Sequence, residues 1–174
     1  MDYRIEELIS EEKVEKRVNE LAEQLNRDYA GKELHIIIVL KGSIFFGSEL
    51  AKRITVPLTM DFMSVSSYGD GMVSAGKITV KKELDEDIAG KNVLIIEDIV
   101  DSGRTLYHLK NLLKGRNPES LKIITLLDKP DRRVMDIEPD YCGFEIPDKF
   151  VVGYGLDYAQ KHRNLPYVGV VVQE

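Results

Sequence analysis

The sequence predicts an α/β fold, a parallel β-sheet flanked by helices. Two apolar runs carry that prediction, LHIIIVL at 34–40 and VLII at 93–96. The second lacks any polar alternation, and both read as strands covered on both faces. Each passes through a glycine-containing turn, Lys41-Gly42-Ser43 or Asp101-Ser102-Gly103, into a helical stretch. Strand, turn and helix is the repeating unit of a parallel sheet.

Length and composition set the frame. The 174 residues suffice for one domain over 1–174, with a sizeable core and a small added lobe. At 43% apolar and 31% charged residues, the chain has the composition of a soluble globular protein. A net charge of −6 argues against non-specific nucleic-acid binding. A single cysteine, Cys142, excludes a disulfide framework and a thiolate metal cluster. No apolar run approaches the roughly 18 residues that span a bilayer. The N-terminal stretch is acidic and amphipathic, unlike a signal peptide, so the expected location is the cytoplasm.

In chain order, a short N-terminal segment precedes an amphipathic helix over about 10–29. Ser10 is its expected cap, and Gly31 follows its exit. After the first buried strand comes a helix over 44–54. A less regular strand follows over 56–66, with Pro57 marking an edge or a start. Residues 67–77 (SYGDGMVSAGK) hold glycines without core periodicity and read as a mobile loop. Strands are expected at 78–81, 93–96 and 121–127, with a helix over 106–114 between the last two. From Val134 onward short strands and tight turns replace long elements. That texture suggests a small lobe built mainly from about 134–174, ending in a strand at 168–172.

The chemistry concentrates at 97–105. Glu97 and Asp98 end a buried strand, and Asp101-Ser102-Gly103-Arg104-Thr105 opens a helix. In an open parallel sheet, ligands bind at the carboxyl ends of strands, where helix amides and dipole favour a phosphate. Two acids there are also compatible with solvated strand-end charge, and Asp101 with a helix cap. The acidic end of a Walker B strand would require a GxxxxGK[ST] loop, and a dinucleotide site a GxGxxG; the chain contains neither.

The segment VLIIEDIVDSGRTL (93–106) resembles the signature of the type I phosphoribosyltransferases. Leu40-Lys41-Gly42 is similar to their diphosphate loop, and Ser67-Tyr68 to the start of their lid. Lys129, FVVGYGLDY (150–158) and Arg163 resemble the base and diphosphate contacts of the hypoxanthine-guanine members. The likeness runs from about Leu34 to the C-terminus, with the motifs in family order.

That resemblance implies a Rossmann-like type I phosphoribosyltransferase fold with a small C-terminal hood. It implies Mg²⁺-dependent transfer of a phosphoribosyl group from 5-phosphoribosyl-1-diphosphate to a 6-oxopurine. Residues 101–105 would then hold the 5′-phosphate, while Glu97 and Asp98 hold the ribose and, with Asp157, magnesium. Asp101 would be the proton acceptor. Lys41, Gly42 and Arg163 would hold the diphosphate, and Ser67 and Tyr68 would close over it. Lys129, Phe150, Val151 and Asp157 would contact the purine. The resemblance further suggests a cis Leu40–Lys41 peptide and a homodimer or homotetramer. Other readings are a xanthine-preferring transferase, a regulator that keeps the fold, and a receiver-type signalling domain. The acidic surface and the base-site residues argue against the regulator, and the SGRT loop against the receiver.

Overall fold

The structure is a computed structural model that describes residues 2–67 and 78–174. Its first elements are β1 (Tyr3–Ile9), α1 (Glu11–Asp28), β2 (Leu34–Leu40), α2 (Ile44–Arg53), β3 (Leu58–Ser67) and β4 (Ile78–Lys82). There follow β5 (Asn92–Val100), α3 (Arg104–Lys114), β6 (Ser120–Asp128), β7 (Tyr141–Glu145), β8 (Val151–Val152) and β9 (Val168–Gln173).

The two apolar runs lie side by side in the main sheet, whose order is β4-β3-β2-β5-β6-β7. All neighbours pair parallel except β4, which runs antiparallel to β3, so the sheet is mixed at one edge. Successive residues of β2 serve opposite faces. Ile36 and Ile38 pack with Val18, Leu21, Leu25, Phe46 and Leu50 of α1 and α2. Ile37 and Val39 join Leu106, Leu109 and Leu113 of α3 on the other face. Each such side chain, fully removed from water, contributes roughly 1.5–3 kcal/mol before entropy is counted. This two-sided cover explains why neither strand shows polar alternation.

The Ser10 cap is as expected: its Oγ accepts from Lys13 N at 3.3 Å, and Glu11 and Glu12 lie in the first turn, where the helix dipole favours them. Gly31, at φ 76°, takes the left-handed conformation just past the helix end.

A second sheet, in the order β1-β9-β8, is antiparallel throughout. Two of its three strands, β8 and β9, come from the stretch 134–174. The N-terminal segment supplies an outer strand, and β7 pairs instead with β6 in the main sheet. A register shift between Glu7 and Ile9 breaks the period-two pattern of β1. That bulge hides the strand in the sequence, because Leu8 and Ile9 then continue the spacing of the helix that follows.

Candidate active site

The carboxyl ends of β2, β5 and β6 open on one edge of the main sheet. β5 continues beyond the apolar run, so Glu97 and Asp98 are strand residues, and Glu97 pairs with Thr125 of β6. Glu97 is buried. Its burial, followed by repulsion from Asp98, holds its carboxyl well above the usual range. Burial likewise pushes Asp98 up to about 6, opposed by the amide of Ile99 and by Arg163. Two neighbouring acids that resist ionisation form a place prepared for positive charge or for hydroxyl donors.

The turn after β5 is fixed by Gly103, at φ 83°, which is the N-cap of α3. The helix therefore starts two residues earlier than its apolar spacing suggests, and Asp101 is not its cap. Among the described residues no side chain caps the helix, and Ser102 Oγ accepts from Arg104 N at 3.3 Å. The first-turn amides thus face a cavity of about 240 Å³, lined by Val39, Leu40, Val65, Glu97 and residues 99–106. Exposed helix amides beside a small polar cavity suit a phosphate. A Cβ at position 103 would strike Ile137 and Arg133, which hold the turn from behind.

Asp101 is gripped by two consecutive arginines. Arg132 Nε donates to its Oδ1 at 3.1 Å, and Arg133 Nη1 donates to its carbonyl oxygen at 2.8 Å. Arg133 is almost enclosed; it also donates to Asp128 Oδ1 at 2.6 Å and to Ile137 O at 2.8 Å. Beside it, Lys129 is only 7% exposed, which sets it apart from an ordinary strand-end lysine. Its Nζ lies 4.0 Å from Asp148 Oδ1. Phe150 is 53% exposed, so its ring is not core packing; Tyr158 meets it edge-on at 5.4 Å. Val151, buried, is the first residue of β8 and pairs with Val170.

On the other side, the turn after β2 begins with a cis Leu40–Lys41 peptide. Gly42 is wedged between two neighbours. A Cβ there would fall on the Asp98 carboxylate, and one on Gly155 would fall on the Gly42 carbonyl. Gly155, at φ 101°, meets this close approach with a conformation that other residues rarely adopt. Arg163 Nη1 donates to Gly155 O at 2.7 Å, and its Nη2 lies 3.4 Å from Asp157 Oδ1. Gln160 Oε1 accepts from Lys41 at 3.5 Å and from Arg163 at 3.1 Å, so the two cations converge on one amide.

The structure therefore brings Glu97, Asp98, residues 101–105, Lys129, Lys41, Gly42, Asp157 and Arg163 to neighbouring parts of one sheet edge. Ser67 ends β3. Tyr68 and the glycine-rich stretch to residue 77 lie outside the described residues. Sequence reasoning missed Arg132, Arg133, Asp148 and Gln160. Only adjacency to Lys129, Phe150 and Arg163 marked those positions, and charged or polar residues in turns carry no pattern of their own.

Glu97, Asp98 and Asp157 each offer the hard oxygen donors magnesium prefers, but they do not stand together as a three-acid metal-holding group. No group of three or more His, Cys, Asp or Glu among the described residues forms a closed metal cage. Magnesium needs none, because it usually retains water and binds one or two carboxylates together with substrate oxygens. The raised carboxyls of Glu97 and Asp98 fit that role, since a nearby cation would favour their ionised forms.

Comparison with known proteins places this geometry. Residues 4–159 match the family model of the phosphoribosyl transferase domain. The chain is 52% identical over 164 residues to the hypoxanthine-guanine phosphoribosyltransferase of Bacillus subtilis, covering 94% of this chain and 91% of that one. It is 50% identical over 167 residues to the protein of the same name from Streptococcus thermophilus, covering 96% and 93%. Among solved structures, a hypoxanthine phosphoribosyltransferase from Staphylococcus aureus superposes with a TM-score of 0.94 at 50% identity, covering 98% of this chain and 92% of that one.

Proposed function

Since the chain belongs to the phosphoribosyltransferase family, we propose that it transfers the 5-phosphoribosyl group of 5-phosphoribosyl-1-diphosphate to hypoxanthine and guanine, releasing diphosphate. The observation that carries this reading is the pairing of an uncapped turn beside a small polar cavity with two adjacent strand-end acids, Glu97 buried and Asp98 half-buried.

The bond from the anomeric carbon to diphosphate breaks as a purine ring nitrogen attacks. Positive charge grows on the ribose and negative charge on the leaving group. Glu97 and Asp98 bind the ribose hydroxyls and favour the developing cation. Lys41 and Arg163, drawn together by Gln160, receive the diphosphate with the amide of Gly42. Residues 101–105 anchor the 5′-phosphate on the first turn of α3. Asp101 takes the purine imidazole proton and so makes the attacking nitrogen a better nucleophile. Glu97 and Asp98, with Asp157 as a further ligand, would hold magnesium, whose positive charge would help neutralise the departing diphosphate.

Lys129 supplies base selection. Its ammonium donates to the exocyclic oxygen of a 6-oxopurine, and adenine presents an amine donor at that position. Two donors facing each other in a buried site are strongly disfavoured. Phe150 presents its exposed ring for stacking, the Val151 backbone reads the base edge, and Asp157 contributes its backbone oxygen near the purine 2-position. Ser67 and Tyr68 complete the proposal as the start of a lid over the diphosphate. The whole chain acts as one catalytic unit in the cytoplasm, as a homodimer or homotetramer; no helix among the described residues is long and apolar enough to cross a membrane.

The test is incubation with 5-phosphoribosyl-1-diphosphate, Mg²⁺ and each of hypoxanthine, guanine, xanthine and adenine. IMP and GMP are expected, and adenine should remain unconverted. No nucleotide from any base would end this reading. Turnover of xanthine above both would favour the xanthine-preferring alternative.

A further inference from the structure

Arg132 stands between the two side chains that would flank the purine. Its Nε donates to Asp101 Oδ1 at 3.1 Å, and its Nη1 lies 3.5 Å from Asp148 Oδ2. The other oxygen of Asp148 lies 4.0 Å from Lys129 Nζ. Asp101, Arg132, Asp148 and Lys129 thus form one chain of alternating charge. Its two ends are the proposed base and the proposed 6-oxo donor. Among the described residues, no hydrogen bond or ion pair occupies Asp101 Oδ2.

Local backbone geometry builds this reach. Lys129 N donates to Val100 O at 2.9 Å and pins the turn to the strand end that precedes Asp101. Pro130 presets the first residue of a short 3-10 turn, Pro130–Arg132, which Arg132 N closes on Lys129 O at 3.1 Å. Arg132 is thereby set three residues beyond Lys129 and over Asp101. Arg133, next in sequence, holds the Asp101 carbonyl from behind.

Stability does not account for the arrangement. The side chains of Arg132, Asp101 and Asp148 are 52%, 44% and 51% exposed. Ion pairs between such groups contribute little to folding. A general base gains from a third group that fixes its orientation, and a guanidinium can address two carboxylates at once through different nitrogens.

We propose that Arg132 is a positioning residue for the proton acceptor: it holds one carboxylate oxygen of Asp101, leaves the other for the purine ring, and ties Asp101 to Lys129 through the shared Asp148. The inference rests on the reading of Asp101 as the base. The experiment compares wild type, Arg132→Ala, Arg132→Lys, Asp101→Asn and the Asp101→Asn/Arg132→Ala double variant. Single-turnover IMP formation is measured at saturating hypoxanthine and 5-phosphoribosyl-1-diphosphate, with KM for each substrate and the thermal midpoint alongside.

Arg132→Ala should slow the chemical step about tenfold, with the donor KM and the midpoint unchanged, and Arg132→Lys should recover part of the loss. In the Asp101→Asn background the same substitution should cost less than about twofold, because a residue acting only through Asp101 has nothing left to position. A wild-type rate in Arg132→Ala, or an equal loss in both backgrounds, overturns the role while leaving the transferase reading intact. Absence of IMP with wild type would remove both together.

Discussion

The proposed donor end and the proposed base end of the site are built in opposite ways. The donor end comes largely from one unbroken stretch, in which β5 delivers Glu97 and Asp98 and the next turn opens directly into α3. The base end is assembled from separate segments: Lys129 and Arg132 after β6, Asp148 and Phe150 before β8, and Asp101 from the donor stretch. One end is set by local geometry, and the other by how the small sheet lies against the main one. Substitutions should therefore divide the two substrates cleanly, except at Asp101, which belongs to both ends.

The largest effect is expected there. Asp101→Asn keeps the size of the side chain and removes the proposed proton acceptor. Its kcat should fall by roughly 10²–10⁴-fold, read by single-turnover mixing of enzyme, hypoxanthine and donor. A near-normal rate would transfer the proton to another group.

Gly42 tests the packing of the donor end. A side chain there collides with the Asp98 carboxylate, so Gly42→Ala must move either the turn or the acid. Displacement of about an ångström at a reacting centre can cost about 10²-fold. A loss of that order is expected in kcat/KM for the donor. An unchanged value would mean that the close approach has no part in binding the diphosphate.

The paired acids of β5 predict a pH dependence of stability. Folding raises the Asp98 carboxyl from the model-compound value of 3.8 to about 6, and Glu97 is raised as well. At pH below the unfolded values both states are protonated, and the pair adds no penalty. Between the unfolded and folded values the unfolded chain releases its protons first, so stability falls as pH rises through about 6. Above that the penalty is fully present. In metal-free buffer, Asp98→Asn should stabilise the ligand-free protein at pH 7.5 by about 1–2 kcal/mol, a figure reduced for the solvent contact Asp98 keeps. Urea titration at pH 5 and 7.5 measures it, and destabilisation at pH 7.5 would contradict the electrostatic reading.

The same contrast governs what was legible in the sequence. β2 could be read to the residue, because isoleucine covered on both faces leaves no competing pattern. The Ser10 helix, the turn from β5 into a helix and the acids of β5 were equally local. The bulged β1 was not: one residue of slip erased its alternation and let it merge with the helix beyond. The small sheet's use of that strand, and the pairing of β7 with β6, depend on contacts between residues more than a hundred positions apart or across a long irregular connection. Arg132, Asp148 and Gln160 were invisible for a related reason. A charged or polar residue in a turn says nothing about its partner until the chain has folded.

The division between the two ends is tested most directly by measuring both Michaelis constants in a matched pair of variants. Thr105→Ala alters only the proposed phosphate turn, and Lys129→Met removes only the proposed 6-oxo donor. A crossed pattern is expected: Thr105→Ala raises KM for 5-phosphoribosyl-1-diphosphate about tenfold with the hypoxanthine value within about twofold, and Lys129→Met does the reverse. Both constants rising together in either variant would contradict it.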